Sequence, residues 1–284
     1  MARTLPIRTF LTSHTVAALA ALALAGTPVA THAQALPADG ESAVQRLEAS
    51  PRHGEWVKVD AGAGDLVDAW VVYPERADAA PVILVIHEIY GLSDWIRAVA
   101  DQLAAEGFIA IAPDLLSGKG PGGGGTASFD SQAVGTAIRD LDRGEINRRL
   151  RALGAYGMAL PSAAKKVGAV GYCWGGTSSW LLAVDWADLD AAVVYYGSSP
   201  QAGYESIQAP VLGHFGGNDN RVNATVPAAE EAMKALGKSF EPHVYEGAGH
   251  GFLRQQPGQE GANLKATEQA WPRTVAFFRE HLGR

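Results

Sequence analysis

The segment Val167-Gly-Ala-Val-Gly-Tyr-Cys-Trp-Gly-Gly176 decides the fold, because an apolar run ends in a cysteine set between glycines. It contains the motif G-x-S-x-G with Cys173 in place of serine, which is typical of a strand that turns sharply into a helix and exposes a nucleophile. Side chains at Gly171 or Gly175 would clash with neighbouring backbone in such a turn. A helix N-terminus favours a thiolate. The other interpretation is a buried structural cysteine.

Two further candidates for catalysis follow in the chain. Asp219 comes after the apolar run Ala209–Phe215, and His250 comes after the strand-like run Phe240–Glu246. The order nucleophile, acid, histidine is that of α/β-hydrolases, and both residues fall at strand ends, where parallel sheets place their chemistry. We therefore predict that Cys173 attacks a carbonyl carbon, that His250 moves the protons, and that Asp219 orients the imidazole.

The pattern of apolar segments predicts an α/β fold. Eight strand-like runs occur, at Glu55–Val59, Ala69–Tyr73, Val82–His87, Phe108–Ala112, Lys166–Tyr172, Ala191–Tyr196, Val211–Phe215 and Glu241–Tyr245. Helical patterns occur at Asp94–Glu106, Gln132–Tyr156, Gly176–Val184, Pro227–Leu236 and Gln269–Leu282, and Ser93 is a candidate N-cap for the first of them. Alternating strands and helices predict a mostly parallel central sheet of about eight strands with helices on both faces.

Apart from His250, the five histidines of residues 36–284 argue against a metal centre. The spacing of these residues matches no metal-binding motif such as H-E-x-x-H; they are His53, His87, His214, His243 and His281. We expect a structural role for His87. Neither a metal nor a cofactor is predicted.

With these residues in view, the chain resembles the dienelactone hydrolase family, from about residue 55 to the C-terminus. The resemblance is carried by five segments: His87-Glu-Ile-Tyr-Gly-Leu92, Ala112-Pro-Asp-Leu115, Gly171-Tyr-Cys-Trp-Gly-Gly176, Gly216-Gly-Asn-Asp219 and Gly249-His-Gly-Phe252. It implies the α/β-hydrolase fold and a Cys-His-Asp triad that opens lactones or esters through a thioester acyl-enzyme.

The resemblance also implies roles for residues that follow the third strand. Glu88 holds the position of a family glutamate that contacts the resting thiol and helps to activate it when substrate arrives. A carboxylate at the end of a hydrophobic strand should in any case be paired or functional. By position, the backbone N–H groups of Ile89 and Trp174 form the oxyanion hole.

Substrate-binding candidates come from the same resemblance. Arg254 stands four residues after His250, as does a family arginine that binds a substrate carboxylate, and a guanidinium fork suits that group. Tyr90, in the segment after the third strand, is the other candidate.

Two departures from the family leave the substrate open between a lactone and a small ester. The family has a second carboxylate-binding arginine after its Pro-Asp-Leu segment, but Ser117–Thr126 contains no counterpart, and neither Lys119 nor Arg139 matches it. An aromatic residue directly after the nucleophile, Trp174, is also expected to reshape the acyl pocket.

Residues 1–35 are predicted to be a signal peptide, and residues 36–284 a single α/β-hydrolase domain. Arg3 and Arg8 precede the apolar Val16–Gly26, which is too short to span a bilayer, and small residues offer a cleavage site near residue 35. An uncleaved anchor is the alternative. We expect a periplasmic or secreted protein without stable membrane insertion after cleavage.

The charge and the cysteine content limit the kinds of partner that the protein can have. Removal of the signal peptide changes the formal charge from −7 to −9, since it holds two arginines and no acids. An acidic surface argues against nucleic acid and anionic membranes. Cys173 is the single cysteine of the chain, so it cannot form an internal disulfide even in an oxidising compartment. We expect the protein to be a monomer.

The sequence thus predicts a cysteine hydrolase that opens a lactone or small ester. One alternative is a general carboxylesterase or thioesterase with the same triad. The other is a non-hydrolytic protein of this fold with Cys173 as a peroxide-reactive thiol, which would not need Asp219 and His250.

Overall fold

The computed structural model of the protein describes residues 1–2 and 35–283, so nearly all of the predicted signal peptide lies outside the described residues. All eight predicted strands are present. They are β1 (Gly54–Asp60), β2 (Leu66–Val72), β3 (Ala80–Ile86), β4 (Ile109–Pro113), β5 (Ala163–Tyr172), β6 (Ala191–Tyr195), β7 (Val211–Gly216) and β8 (Phe240–Tyr245).

The strands form a single sheet in the order β1-β2-β4-β3-β5-β6-β7-β8. β2 pairs antiparallel with β1 and with β4, and every other pairing in the sheet is parallel. All seven residues of β3 are buried, as expected for a central parallel strand covered on both faces. The carboxyl ends of β3, β5, β6, β7 and β8 therefore meet along one edge.

Helices cover both faces of the sheet. They are α1 (Ala43–Glu48), α2 (Asp94–Ala105), α3 (Ser131–Arg139), α4 (Arg143–Ala159), α5 (Trp174–Asp185), α6 (Asn220–Asn223), α7 (Val226–Ala235) and α8 (Ala262–Leu282). Side chains of β3 alternate between two cores, with Leu84 packed in the core of α4, α5 and α7 and Val85 in the core of α2 and α8. In the described part of the chain, no helix is both long and apolar enough to cross a membrane.

The predicted α/β fold is confirmed, and Ser93 caps α2 by accepting a hydrogen bond from the Ile96 N–H. The predicted helix over 132–156 is wrong, because α3 and α4 divide it. The division falls where Asp142 leaves the helical conformation and its side chain accepts a hydrogen bond from the Glu145 N–H, which starts a new helix.

Candidate active site

Cys173 stands in the sharp turn between β5 and α5. Its φ of 55° and ψ of −114° lie in a strained region for a residue with a side chain. A methyl group at Gly171 would overlap the Gly175 carbonyl, and one at Gly175 would overlap the carbonyls of Ile86 and His87. The expectation that both positions need glycine is therefore confirmed, and the turn presents the thiol at the N-terminus of α5.

The loops after β7 and β8 bring two further side chains to this thiol. The His250 Nε2 lies 3.0 Å from Cys173 Sγ, and the His250 Nδ1 lies 2.5 Å from the Asp219 Oδ2. Asp219 also accepts a hydrogen bond from the Val222 N–H at 3.4 Å, which caps α6. The Asn218 N–H donates to the Ala248 carbonyl at 2.9 Å and ties the two loops together. Residues far apart in sequence thus form one continuous hydrogen-bonded chain.

The resting sulfur is a thiol. Burial raises the pKa of Cys173 to about 11, and the nearby Glu88 charge acts in the same direction. The N–H of Trp174 and the charge of Arg221 lower the pKa but do not overcome burial. The helix N-terminus therefore lowers the pKa of Cys173, as expected, but it does not produce the thiolate that the sequence suggested. Deprotonation of the thiol thus requires a base at the moment of attack.

Glu88, predicted to contact the thiol, is paired with Arg254 instead. Its side chain is almost fully buried, and its Oε2 lies 2.9 Å from the Arg254 Nε. The guanidinium also lies over the ring of Tyr90, 4.8 Å from its centroid. Burial raises the pKa of Glu88 to about 7, although Arg254 opposes the rise. The carboxyl group can therefore change charge near neutral pH.

The two predicted oxyanion-hole donors flank the thiol. Ile89 and Trp174 both line the cavity in front of Cys173, and neither N–H donates to a backbone carbonyl among the residues that the structure describes. His87 lies behind them with its ring stacked on Trp174 at 5.6 Å. Its Nδ1 bonds the Glu88 carbonyl at 2.8 Å, and its Nε2 accepts from the Leu115 N–H at 3.3 Å. This buried histidine fixes the loop, as expected for a structural role.

The cavity in front of Cys173 has a volume of about 410 Å³. Ile89, Trp174 and Tyr196 line it, together with the two arginines Arg139 and Arg221. Of the substrate-binding candidates, neither Arg254 nor Tyr90 belongs to this lining in the described structure.

Sequence reasoning missed three lining residues. Arg221 stands two residues after Asp219, and Tyr196 directly follows β6, so the proximity of each to a strand end was an available signal. Arg139 was considered only as a counterpart of the family's second arginine and did not match it; its place in the lining depends on where α3 ends beside the loop after β3.

Within residues 35–283, no group of three or more histidine, cysteine, aspartate or glutamate side chains is placed to hold a metal ion. The carboxylates near the thiol are instead paired with His250 and Arg254.

The model of the dienelactone hydrolase family matches residues 67–282. The chain belongs to the dienelactone hydrolase family. A provisionally named carboxymethylenebutenolidase of Salmonella typhimurium is 30% identical over 235 residues, which cover 78% of this chain and 85% of that relative. A similarly named protein of Methylorubrum extorquens is 30% identical over 236 residues, which cover 76% and 77%.

Solved structures agree with this membership. A provisionally named dienelactone hydrolase from Klebsiella pneumoniae superposes with a TM-score of 0.71 at 25% identity, covering 81% of this chain and 99% of that one. A dienelactone hydrolase-like promiscuous phosphotriesterase from metagenomic libraries gives a TM-score of 0.69 at 24% identity, covering 82% and 99%, a likeness that concerns the fold alone. The predictions of the α/β-hydrolase fold and of a hydrolase of this family are confirmed.

Proposed function

We propose that this member of the family is a cysteine hydrolase that opens a lactone or small ester through a thioester acyl-enzyme. The observation that carries the proposal is the continuous chain from Cys173 Sγ through His250 to Asp219, with contacts of 3.0 Å and 2.5 Å. A nucleophile, a base and an orienting carboxylate in hydrogen-bond reach are the parts that covalent acyl transfer needs.

In the first half of the reaction, the sulfur of Cys173 bonds to the carbonyl carbon while its proton passes to His250 Nε2. The carbonyl oxygen becomes an oxyanion that accepts hydrogen bonds from the N–H groups of Ile89 and Trp174. The bond to the alkoxide then breaks, and the imidazolium returns its proton to that leaving group. In a lactone, the alcohol stays attached to the acyl chain.

In the second half, His250 takes a proton from water as the water oxygen attacks the thioester. The tetrahedral intermediate collapses, the carbon–sulfur bond breaks, and the proton returns to the thiol. Asp219 accepts the Nδ1 hydrogen bond throughout and stabilises the charged imidazole. This sequence needs neither a metal ion nor a cofactor.

Glu88 suits a role in activating the thiol. While it is ionised and paired with Arg254, its charge raises the pKa of Cys173 and keeps the proton on sulfur. For the family role, its carboxylate must leave Arg254 and reach Sγ when a substrate binds. A pKa of about 7 lets it accept and release a proton near neutral pH.

Intact-mass spectrometry after brief mixing with p-nitrophenyl acetate, and separately with a dienelactone, tests the proposal. We expect an acyl adduct that maps to Cys173, and we expect Cys173→Ala to abolish turnover without altering the far-UV circular dichroism. Cys173→Ser should be weak, since the site is set for a thiol. Turnover near the wild-type rate by Cys173→Ala would exclude this mechanism.

The two alternatives give different outcomes. A general carboxylesterase or thioesterase would hydrolyse a chain-length series of nitrophenyl esters but not a panel of lactones. A redox protein would form a sulfenic acid with peroxide and no acyl adduct. The raised pKa of Cys173 argues against the redox function, because the thiolate is the form that peroxide oxidises.

We also propose that the chain is exported to the periplasm or secreted after cleavage of residues 1–35, and that it acts as a monomer. The charged and then apolar N-terminal sequence supports export. N-terminal sequencing of the protein from the periplasmic fraction tests the cleavage, and light scattering tests the oligomeric state. A start at Met1 would contradict the first, and a dimer mass would contradict the second.

A further inference from the structure

A short segment before α1 is bonded to the loop between β8 and α8. It comprises residues 36–40, and we call it the N-terminal strap. Pro37 and Ala38 of the strap are buried. The Pro37 carbonyl accepts a hydrogen bond from the Gln256 Nε2 at 2.9 Å, and the Ala38 carbonyl accepts one from the Trp95 Nε1 at 3.0 Å. The strap therefore ties the start of α2 to the loop between β8 and α8.

The strap precedes the part of the chain that the family model matches, which begins at residue 67. Its bond to α2 nevertheless leads to the active site. The Trp95 ring packs edge-on against Tyr172, with ring centroids 5.1 Å apart, and Tyr172 directly precedes Cys173. The strap is thus bonded to a side chain that supports the strand leading to the thiol.

The strap also contacts Arg254, through both the backbone and the side chain of this arginine. The Gly40 N–H donates to the Arg254 carbonyl at 2.8 Å. A methyl group at Gly40 would lie 3.2 Å from the Arg254 Cγ and 3.7 Å from its Nη1. The Arg254 N–H donates to the Gly251 carbonyl at 3.0 Å, in a turn that starts directly after His250. The strap therefore lies against a residue that is coupled to the catalytic loop.

The position of the Arg254 side chain matters because its guanidinium is paired with Glu88. Its Nε lies 2.9 Å from the Glu88 Oε2, and its guanidinium lies over the ring of Tyr90. Glu88 is almost fully buried, so its interaction with the arginine is screened less than that of a surface pair and depends strongly on distance. The contact at Gly40 restricts where this guanidinium can lie.

We infer that the N-terminal strap is a positioning element of the active site, which holds Arg254 through Gly40 and thereby sets the distance between the guanidinium and the Glu88 carboxylate. The strap does not belong to the lining of the cavity in the described structure, so it acts through Arg254 and not on the substrate. The inference rests on the proposed function only for its effect on turnover. Its effect on Glu88 is independent of turnover.

Gly40→Leu tests the contact with Arg254. Gly40 does not have a positive φ, so a larger residue can stand there without left-handed strain. Because the Arg254 Nε already lies 2.9 Å from the carboxylate, displacement of this side chain lengthens the pair. We expect Gly40→Leu to raise the pKa of Glu88 by about 0.5 or more above its value of about 7. Carbon-13 NMR titration of the glutamate carboxyl groups measures this change, and the signal of Glu88 is the one lost in Glu88→Gln.

Ala49→Leu is the matched control, because it adds the same side chain at an exposed position directly after α1. It should leave the pKa of Glu88 unchanged. Besides Arg254, the titratable side chains that the Glu88 charge reaches are Tyr172, Cys173 and Tyr196. Both variants retain these three residues.

Turnover of p-nitrophenyl acetate gives a measurement that a purely structural role of the strap would not explain. If ionised Glu88 activates the thiol, kcat/KM of Gly40→Leu should be about twofold below the wild-type value at about pH 7 and should recover at about pH 8.5. A loss of folded protein would instead lower the rate by the same factor at both pH values.

Trp95→Phe tests the other end of the strap. It removes the N–H that bonds Ala38 and keeps an aromatic ring against Tyr172. Hydrogen exchange of the Gly40 amide should become about tenfold faster, and the pKa of Glu88 should rise, but by less than in Gly40→Leu. Trp271→Phe is the matched control, because this tryptophan is buried in the same core and its N–H has no partner among the described residues. It should change the exchange of Gly40 by less than about twofold.

The outcomes separate the strap from the hydrolase function. An unchanged pKa of Glu88 in folded Gly40→Leu would overturn the positioning role, as would a loss of activity that is equal at both pH values. If Gly40→Leu does not fold, Trp95→Phe decides, and wild-type exchange of Gly40 with a wild-type pKa of Glu88 would overturn the role. The expected rise in the pKa of Glu88, without ester turnover by the wild type, would support the strap and contradict the hydrolase function.

Discussion

Two carboxylates at the same edge of the sheet differ in what surrounds them. Asp219 follows β7 and Glu88 follows β3, and their exposed fractions are only 7% and 3%. Asp219 accepts hydrogen bonds from the imidazole of His250 and from the Val222 N–H of α6. Glu88 faces one arginine side chain, and its pKa rises to about 7 because burial outweighs that arginine.

Because their surroundings differ, these two carboxylates can have different roles in the same site. Hydrogen bonds donated to an ionised carboxylate favour its charged form, whereas burial favours the neutral acid, and at Glu88 burial outweighs the bond from Arg254. Asp219 is thus held in one orientation and suits a permanent support for His250. Glu88 can change its charge near neutral pH, which suits the activating role proposed for it.

The largest expected effect comes from removing the charge of Asp219. Asp219→Asn keeps the shape of the side chain but removes its charge and favours the wrong imidazole tautomer. We expect kcat for p-nitrophenyl acetate to fall by about 10³–10⁴, with unchanged far-UV circular dichroism. The exposed Asp188→Asn is the matched control and should keep full activity. A loss smaller than about tenfold would remove Asp219 from the proposed triad.

The sheet was predictable from the sequence, because its strands are short apolar runs that differ from their surroundings. Gly171 and Gly175 were predictable as well, since the sharp turn around Cys173 brings backbone atoms of neighbouring segments too close for a side chain. The proximity of Asp219 and His250 followed from their places at the ends of parallel strands. These features depend on local pattern and on the topology that the pattern implies.

Features that depend on side-chain direction were not predictable. Arg254 was recognisable by its spacing from His250, but its pairing with Glu88 joins residues that are remote in the chain. The place of Arg139 depends on the end of α3, and that end depends on the cap at Asp142. The protonated state of Cys173 likewise depends on how deeply the completed fold buries the sulfur.

A second prediction concerns the contribution of Glu88 to the stability of the folded protein. The pKa of Glu88 is raised from 4.5 to about 7 in the folded protein, so the folded state retains a proton that the unfolded state loses. Its stabilising contribution is complete below about pH 4.5 and is lost as the pH rises through about 7, a change of about 3 kcal/mol.

Urea unfolding of the wild type and of Glu88→Gln measures this contribution as a difference. The free energy of unfolding of the wild type, relative to the variant, should fall by about 3 kcal/mol between about pH 4.5 and 8. Glu231→Gln, on the exposed face of α7, should give a curve parallel to the wild type. Parallel curves for wild type and Glu88→Gln would show that burial does not shift the pKa of this carboxyl group.

The smallest expected effect concerns the pKa of Cys173. Burial is the main cause of the Cys173 pKa of about 11, and the charges of Glu88 and Arg221 act on it in opposite directions. Glu88→Gln should therefore lower this pKa and Arg221→Gln should raise it, since each removes one charge and leaves the sulfur buried. Ultraviolet titration of the thiolate measures both shifts as differences from Cys173→Ala, which subtracts the tyrosines and leaves the signal of the single cysteine. Shifts in the same direction would mean that the two substitutions alter the burial of the thiol and not its electrostatic surroundings.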